Sequence, residues 1–351
     1  MKIPAKKKFG LPRRAGYEYH VDRDGVSQGA LATYLECRER ARLSQILGWT
    51  SAAPSMPLIL GSIGHEFLDW WHKEGTLERD EQECAVTRAV QTVLKELSPK
   101  QMTTGFKDEL DEDLAIIREL LFAYARRHAK VDRAVDWICS EDEFLFRVDG
   151  TPVRGKIDGG FRSGKGKTAR MLESKFKARW SEEAMTDWLP LDIQTGMYIT
   201  AMKHDHELRD RLKLRKGEVV RSFRYDVTRK PQLRRRKEER TVEFTQRVAE
   251  DLRVRPEHYF HRWDVELTDA DLQRHEERVF KLVREYRAWA YNHQAALAAG
   301  TARPDPVWTS AACEGRFSTC PYLPACARMD FNGLRQRERP YPELSDIRAK
   351  G

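Results

Sequence analysis

The sequence Gly155-Lys156-Ile157-Asp158, followed after a basic turn by Glu173-Ser174-Lys175, decides the fold of this 351-residue chain. Alternating residues predict two strands, Thr151–Asp158 and Met171–Phe176, joined by a turn at Ser163–Lys167. Side chains two apart on a strand point to the same face, so Glu173 and Lys175 would share one. A hairpin of this kind would bring two carboxylates and one amine together.

These residue types are the ones that metal-dependent phosphodiester cleavage requires. The reaction needs an activated water, neutralised charge on the phosphorus oxygens and help for the leaving oxygen, which Mg²⁺ or Mn²⁺ on hard oxygen ligands can supply. Asp158 and Glu173 would be ligands, and Lys175 would orient the water or offset charge. An acid beside a lysine is more often a surface ion pair, so the triplet alone is weak evidence for a nuclease.

The composition is consistent with a folded protein that binds a polyanion. Hydrophobic residues make up 40% of the chain, which is enough for a packed core. Lys and Arg outnumber Asp and Glu by 63 to 55, and the resulting net charge of +8 favours nucleic acid as the partner. No apolar stretch is long enough to cross a bilayer, and the basic N-terminus lacks the apolar segment of a secretory signal. We therefore expect a cytoplasmic protein with no membrane partner.

The pattern along the chain predicts one α/β domain between two terminal segments. We expect a basic arm over residues 1–26, a single domain over 27–330 and a tail over 331–351. Within the domain the predicted parts are a helical portion (27–135), a sheet core that holds the site (136–266) and a C-terminal helix with cysteines (267–330). Helices are predicted at 58–74, 80–97, 109–130, 191–204, 241–254 and 269–298, with a further one that Ser27 caps, and strands within 143–176, 217–228 and 258–266.

Two glycines and a histidine lie on neighbouring turns of the second predicted helix, at Gly61, Gly64 and His65. Glycine costs helix stability, so its presence suggests close approach to another element. A histidine on a helix is more often packed at an interface than bound to a metal. His65 alone is therefore ambiguous.

A strongly basic loop follows the 217–228 strand and is a candidate for contact with a phosphate backbone. It contains Lys230, Arg234, Arg235, Arg236, Lys237 and Arg240. Such a loop is too charged for a core and suits nucleic acid, although a solvated loop is about equally consistent with it.

The six cysteines divide into a C-terminal group and three others. Cys313, Cys320 and Cys326 lie close together in sequence, and Cys37 precedes the histidine helix. Four thiolates suit either an iron-sulfur cluster or tetrahedral Zn²⁺, and disulfides are the weaker explanation in an intracellular chain. The two remaining cysteines, of which Cys84 lies on a predicted helix, are expected to be buried structural thiols.

The order of these motifs resembles the RecB-like branch of the PD-(D/E)XK nuclease superfamily. That branch has a glycine-led helix ending in a metal-binding histidine, a Gly-x-x-Asp strand, a Glu-x-Lys strand and a Gln-x-x-x-Tyr helix, here Gln194 to Tyr198. The resemblance implies a restriction-endonuclease-like core with a central mixed sheet flanked by helices. It implies metal ligation by His65, Asp158, Glu173 and the Ser174 carbonyl, catalysis by Asp158, Glu173 and Lys175, and DNA contact or bracing by Gln194 and Tyr198.

The cysteines carry a second part of the resemblance. Some RecB-like nucleases, including CRISPR-associated and helicase-linked exonucleases, hold a 4Fe-4S cluster with one N-terminal and three C-terminal cysteines. The resemblance thus implies a cluster on Cys37, Cys313, Cys320 and Cys326, which the C-terminal segment would close. This sequence departs from the usual pattern because six residues, Glu314–Thr319, separate the first two clustered cysteines where two are usual. Zn²⁺ therefore stays an alternative.

The sequence thus predicts a divalent-metal-dependent DNA exonuclease acting on single strands or free ends. Recombination, repair or phage DNA metabolism would be its setting, with a recombination or repair protein as a partner, and the host cytoplasm its location if a phage encodes it. The alternative is a catalytically silent nuclease fold that binds nucleic acid or serves in assembly.

Overall fold

The structure, a computed structural model, describes residues 16–52, 55–74, 78–95, 104–163, 168–178, 181–188, 191–300, 310–314 and 319–346. The chain forms two compact units. The larger unit contains Ala53–Val148 and Val153–Leu282, and the smaller unit contains Met1–Ala52, Asp149–Pro152 and Val283–Gly351. Most of the predicted basic arm and the predicted turn between the two site strands lie outside the described residues.

The elements in chain order are α1 (Val21–Asp24), β1 (Val26–Ser27), α2 (Gln28–Glu36), α3 (Arg38–Ala41), a π-helical turn (Arg42–Ile46), β2 (Trp49–Ser51), α4 (Met56–Lys73), α5 (Arg79–Lys95), α6 (Thr104–Asp132), β3 (Asp136–Val148), β4 (Thr151–Ser163), β5 (Thr168–Lys177), α7 (Glu182–Trp188), α8 (Ile193–His204), α9 (His206–Arg211), β6 (Ser222–Arg229), α10 (Thr241–Val254), α11 (Pro256–Tyr259), β7 (Phe260–Glu266), α12 (Asp269–Ala298), α13 (Ser310–Cys313), α14 (Leu323–Arg328) and β8 (Leu334–Gln336).

The larger unit is built on a mixed sheet in which β3, β4, β5, β6 and β7 are neighbours. β4 pairs antiparallel with β5, β5 runs parallel to β6, and β6 pairs antiparallel with β7. Parallel neighbours need a long crossover, and here α7, α8 and α9 lie in the connection between β5 and β6. The predicted mixed sheet is therefore present, and the crossover delivers α8 to the sheet.

Helices cover both faces of this sheet, as consecutive residues of β6 demonstrate. The Tyr225 hydroxyl lies 2.9 Å from the Thr195 hydroxyl on α8, whereas the next residue, Asp226, accepts a 2.7 Å hydrogen bond from Tyr124 on α6. Successive side chains of a strand point to opposite faces, so α8 and α6 lie on opposite sides. The α6 side holds an apolar cluster to which α4, α5, α6 and α10 contribute. The α/β architecture with flanking helices is thereby confirmed.

A buried charge network ties the sheet to α6. Arg262 on β7 donates to Asp226 on β6 and, at 2.6 Å, to Asp132 at the end of α6. Trp71 on α4 donates a 3.0 Å hydrogen bond to the same Asp132 carboxylate. Because removal of one partner leaves a buried charge unpaired, this network makes the relative placement of α4, α6 and the sheet specific.

The smaller unit contains a short antiparallel ladder between β2 and β8, with Trp49 opposite Gln336. Its α2 helix begins after Ser27, whose side chain accepts a hydrogen bond from the Ala30 backbone, as the sequence predicts for a capping serine. Leu43, Leu47, Trp49, Tyr322, Ala325 and Leu334 form an apolar cluster in this unit.

Most predicted elements occur within a few residues of their expected bounds. α10 and α12 match the prediction, whereas β3 begins at Asp136, earlier than the predicted start at residue 143. The expectation that Cys84 is buried is wrong: it is exposed, because α5 buries Ala85, Val86 and Ala89 instead. No helix within the described ranges is both long and apolar enough to span a bilayer. The predicted division into arm, single domain and tail stays a prediction.

Candidate metal-dependent active site

The β4–β5 hairpin places Asp158 beside the Glu-x-Lys segment. The last backbone pair in the ladder is Gly159 with Leu172, so Asp158 and Glu173 are the next positions on the two strands. There the Ser174 backbone N–H donates a 2.8 Å hydrogen bond to Asp158 Oδ2. The carboxylate thus fixes the point where the two strands separate, and the predicted hairpin contact is confirmed.

Glu173, Lys175 and the α8 residues form one hydrogen-bonded group. Lys175 forms an ion pair with Glu173 and donates a 2.8 Å hydrogen bond to Gln194 Oε1. Gln194 Nε2 donates to Glu173 Oε2 at 3.2 Å and to the Tyr198 hydroxyl at 2.7 Å, and Tyr198 donates to Asp158 Oδ1 at 3.1 Å. A continuous chain of contacts therefore connects the two carboxylates through Gln194 and Tyr198, which lie one turn apart on α8.

His65 on α4 and Glu141 on β3 also lie at the site. Glu141 is not part of the motifs in the sequence. His65 Nδ1 lies 3.0 Å from Glu141 Oε1 on β3. Ligand atoms of His65, Glu141 and Asp158 all lie within 4.8 Å of one another. Mg²⁺ bound at about 2.1 Å places opposite ligands about 4.2 Å apart, so the three side chains have nearly the spacing of ligands on one ion.

Three carboxylates, one amine and one imidazole lie close together in the site. Burial, followed by the charge of Asp158, raises the pKa of Glu173 to about 8. Burial lowers the pKa of Lys175, but the carboxylates of Glu173 and Asp158 outweigh it, and the pKa is raised. Burial likewise opposes a proton on His65, yet Asp158 and Glu141 raise its pKa to about 9. The raised pKa of Glu173 shows that its negative charge is unfavourable beside Asp158, and a divalent cation held by these carboxylates would relieve that repulsion. The donor set therefore fits a hard divalent metal.

Gly64 permits the close approach of α4 to β5 that positions His65. A Cβ atom on Gly64 would lie 2.4 Å from ring atoms of Phe176, the residue after Lys175. The His65 and Phe176 rings lie 5.9 Å apart between centroids. Gly61 differs, because a Cβ there would meet no described atom within 4 Å. The predicted close approach is thus confirmed at Gly64 and wrong at Gly61.

Glu141 is the site residue that the sequence interpretation missed. It lies in β3 within the acidic run Glu141-Asp142-Glu143, at or before the predicted start of the sheet. Its φ of 50° is left-handed, an unfavourable conformation for a residue other than glycine. Two signals were available, the acidic run and its short distance in sequence from Asp158. Neither distinguishes Glu141 from its two acidic neighbours.

The basic loop is less free than its composition suggests. Lys230 forms an ion pair with Asp113, and Arg235 Nε lies 3.3 Å from Glu112 Oε1. The side chains of Arg234 and Arg236 are exposed. DNA contact by Arg234, Arg235 and Arg236 stays a prediction.

The four candidate cluster cysteines all belong to the smaller unit. Cys37 is buried, whereas Cys313, Cys320 and Cys326 are half-buried, and the Cys320 N–H donates a 2.9 Å hydrogen bond to the Cys313 carbonyl. Among the described residues the His65 group is the one set of three metal-binding side chains within 4.8 Å, so no three of these sulfurs are that close. Four thiolates on one Zn²⁺ lie about 3.8 Å apart, so the sulfurs do not have the arrangement of a zinc site.

Comparison with known proteins agrees with this geometry. The family model described as the PD-(D/E)XK nuclease superfamily matches residues 25–327, and the chain belongs to this superfamily. Membership supports nuclease activity on DNA, and PD-(D/E)XK nucleases use divalent metals. No curated protein matches the sequence.

Two solved structures are similar at low identity. A candidate exonuclease from Eubacterium rectale is 13% identical over 100% of this chain and 99% of its own, with a TM-score of 0.43. A second structure, SSO0001, is 11% identical over 73% of this chain and 85% of its own, with a TM-score of 0.24.

Proposed function

We propose that the protein is a divalent-metal-dependent DNA exonuclease of the RecB-like branch, acting on single strands or free ends in the cytoplasm. The observation that carries the proposal is the convergence of Asp158, Glu173 and Lys175 with His65 from a separate helix. A fold that only bound nucleic acid would have no chemical need for this buried combination. Recombination, repair or phage DNA metabolism is the proposed setting.

The acidic residues and the histidine of the site would bind the metal, and the lysine would act on the water and the phosphate. His65, Asp158 and Glu173, with Glu141 and the Ser174 carbonyl, would hold Mg²⁺ or Mn²⁺. The bound ion would supply an activated water and neutralise charge on the phosphate. Lys175, placed between Glu173 and Gln194, would orient the attacking water and offset the negative charge that develops on phosphorus oxygens.

Gln194 and Tyr198 would act by holding these groups in place. Tyr198 is buried, and its hydroxyl takes part in hydrogen bonds with Gln194 and Asp158. A tyrosine so placed restricts the rotamer of the Asp158 carboxylate, as preorganised ligand sets require. DNA contact by either residue is part of the proposal, as it is for Arg234, Arg235 and Arg236.

The test compares end-labelled linear DNA and closed circular DNA, single- and double-stranded, with Mg²⁺, with Mn²⁺ and with a chelator. We expect stepwise release of nucleotides from linear substrates in metal, and no cutting of circles or in chelator. Glu173→Ala should abolish cutting. Glu277→Ala, which removes an exposed acid from α12, is the matched control and should cut normally.

Three outcomes would contradict all or part of this proposal. Unchanged cutting by Glu173→Ala would refute the site, and cutting of circular DNA would replace an exonuclease by an endonuclease. Tight DNA binding without cutting in any metal would favour the second candidate, a catalytically silent nucleic-acid-binding or assembly protein.

For the cysteines we propose a 4Fe-4S cluster on Cys37, Cys313, Cys320 and Cys326. Zn²⁺, the other metal that four thiolates suit, fits less well because no three of the sulfurs lie within 4.8 Å of one another. Support comes from their common location in the smaller unit. There Cys320 and Cys326 pack against a group of apolar side chains that would shield the iron-sulfur cluster from water. A four-iron cluster is larger than one ion and does not need sulfurs in mutual contact. Visible absorption and iron content after anaerobic purification test this, and a colourless protein with stoichiometric zinc would refute it.

A further inference from the structure

Lys177 continues the row of side chains that Glu173 and Lys175 begin on β5. The parallel ladder to β6 extends through Lys177, and the Lys177 carbonyl accepts a further 2.8 Å hydrogen bond from the Lys230 backbone N–H. Regular strand geometry therefore holds up to this residue, and side chains two apart on a strand share a face. Lys177 thus lies on the face of the proposed catalytic group, two residues or about 6.6 Å along the strand from Lys175.

Exposure to solvent increases along this row of side chains. Glu173 is buried, the Lys175 side chain is 17% exposed, and Lys177 is exposed. Lys175 is occupied by its ion pair with Glu173 and its hydrogen bond to Gln194. Lys177, in contrast, forms no ion pair with any residue in the described ranges. The row therefore leads from the proposed metal ligands to an ammonium group at the surface.

The start of α8 lies at the same end of β5. Asp192 occupies the N-cap position of α8, but its side chain accepts no hydrogen bond from the helix backbone. Partial burial and then the positive charge of Lys175 lower the pKa of Lys177. The negative charges of Asp192 and Glu173 oppose that shift. The Lys177 ammonium group is therefore within electrostatic range of the proposed catalytic residues.

We propose that Lys177 is a substrate-binding residue of the nuclease site, and that its ammonium group binds the phosphate next to the scissile one on the DNA strand. The inference rests on the proposed function and deepens it, because it gives the direction in which the strand leaves the metal site. The carboxylates of the site repel a polyanion, so a bound strand needs a cation that is not already paired with them. An ammonium group is a compact charge with three donors, which suits a phosphate oxygen and reads no base.

Binding of a fluorescent DNA single strand in chelator, over a series of salt concentrations, tests this contact. Lys177→Gln should weaken binding about tenfold, as expected for one charged hydrogen-bonded contact. It should also reduce the slope of log K against log salt by about 0.7, the contribution of one phosphate on a single strand. Lys177→Arg keeps the positive charge and should keep the salt slope of the wild-type protein.

Lys203→Gln is the matched control. It removes an exposed lysine from the opposite end of α8, where the side chain pairs with Glu276. This variant should change neither the affinity nor the salt slope.

Steady-state cutting in Mg²⁺ separates a binding contact from a role in the chemical step. Loss of a contact that is equally strong in the bound substrate and the transition state raises KM and leaves kcat unchanged. Lys177→Gln should therefore raise KM about tenfold at unchanged kcat. A lower kcat at unchanged KM would place Lys177 in the chemical step and overturn its assignment to a neighbouring phosphate.

The proposal is also overturned if Lys177→Gln, folded by thermal melting, binds with the affinity and salt slope of Lys203→Gln, or if the wild-type protein does not bind the strand. Failure of the proposed nuclease function would look different. It would appear as absence of metal-dependent cutting by the wild-type protein, whereas the binding experiment contains no metal and needs no turnover.

Discussion

Replacing the two glycines of α4 separately by alanine should stabilise the protein at Gly61 but not at Gly64. Both residues are internal to the same helix, so each Gly→Ala change gains about 1 kcal/mol of helix propensity. At Gly61 the new methyl meets no described atom within 4 Å, and the gain should appear in full. At Gly64 the methyl would lie 2.4 Å from the Phe176 ring, which is too close for any real carbon contact.

The cost at Gly64 follows from overpacking. Inserting a methyl into a packed contact typically costs about 1–3 kcal/mol, because the ring or the helix must move. The helix gain is common to both variants, so the difference between Gly61→Ala and Gly64→Ala should equal this packing cost. Relative to wild type, Gly64→Ala should be near neutral or destabilised by up to about 2 kcal/mol.

Urea unfolding followed by circular dichroism measures this difference through the transition midpoints. Gly61→Ala should unfold at higher urea than wild type, and Gly64→Ala at lower urea than Gly61→Ala. In the double variant Gly64→Ala/Phe176→Leu, the smaller leucine side chain leaves room for the new methyl group. This variant should recover part of the stability that Gly64→Ala loses. Equal midpoints for the two alanine variants would refute the argument that Gly64 is required for contact between α4 and β5.

Three further outcomes are expected. Glu141→Gln should weaken Mn²⁺ binding by about 10- to 100-fold in calorimetry, as loss of a ligand or of a histidine partner typically does, and unchanged affinity would exclude Glu141 from the site. Cys37→Ser should lose bound iron while Cys84→Ser keeps it; equal iron in both would show that Cys37 is not a ligand. The ion pair with Arg162 lowers the pKa of Glu218 to about 2. The pair therefore stabilises the fold fully above about pH 4.3, the ordinary pKa of glutamate. This stabilisation is lost as the pH falls toward 2. The difference in urea midpoint between wild type and Glu218→Gln should accordingly be larger at pH 7 than at pH 3, and a difference independent of pH would contradict it.

Local patterns in the sequence were sufficient for the hairpin that contains the site. Period-two alternation on either side of a basic turn fixes which side chains share a face, and the antiparallel ladder follows from it. Gln194 and Tyr198 could be placed on one helical face because they are four residues apart, and both contact the predicted carboxylates. These relations depend on spacing within one element or between two adjacent ones.

Contacts between residues far apart in sequence could not be predicted from local patterns. Phe176 approaches α4 across more than one hundred residues of sequence, and its ring explains Gly64 but not Gly61. Both glycines break the same propensity rule, so sequence alone gives them the same explanation. The position of β5 distinguishes Gly64, whose Cβ would clash with the Phe176 ring, from Gly61, where a Cβ would meet no described atom within 4 Å.

Glu141 shows why an additional ligand escapes a motif-based search. Its backbone is left-handed within a strand, a conformation that costs about 1–3 kcal/mol and persists only where other interactions impose it. With regular alternation through Glu141-Asp142-Glu143, the side chains of Glu141 and Glu143 would lie on the same face of the strand. The sequence would then give no reason to assign one of them rather than the other to the site. The local departure from strand geometry turns one carboxylate toward His65 and Asp158. Since the surrounding structure imposes that departure, the pattern of residue types could predict acids near the site but not which of them faces the metal ligands.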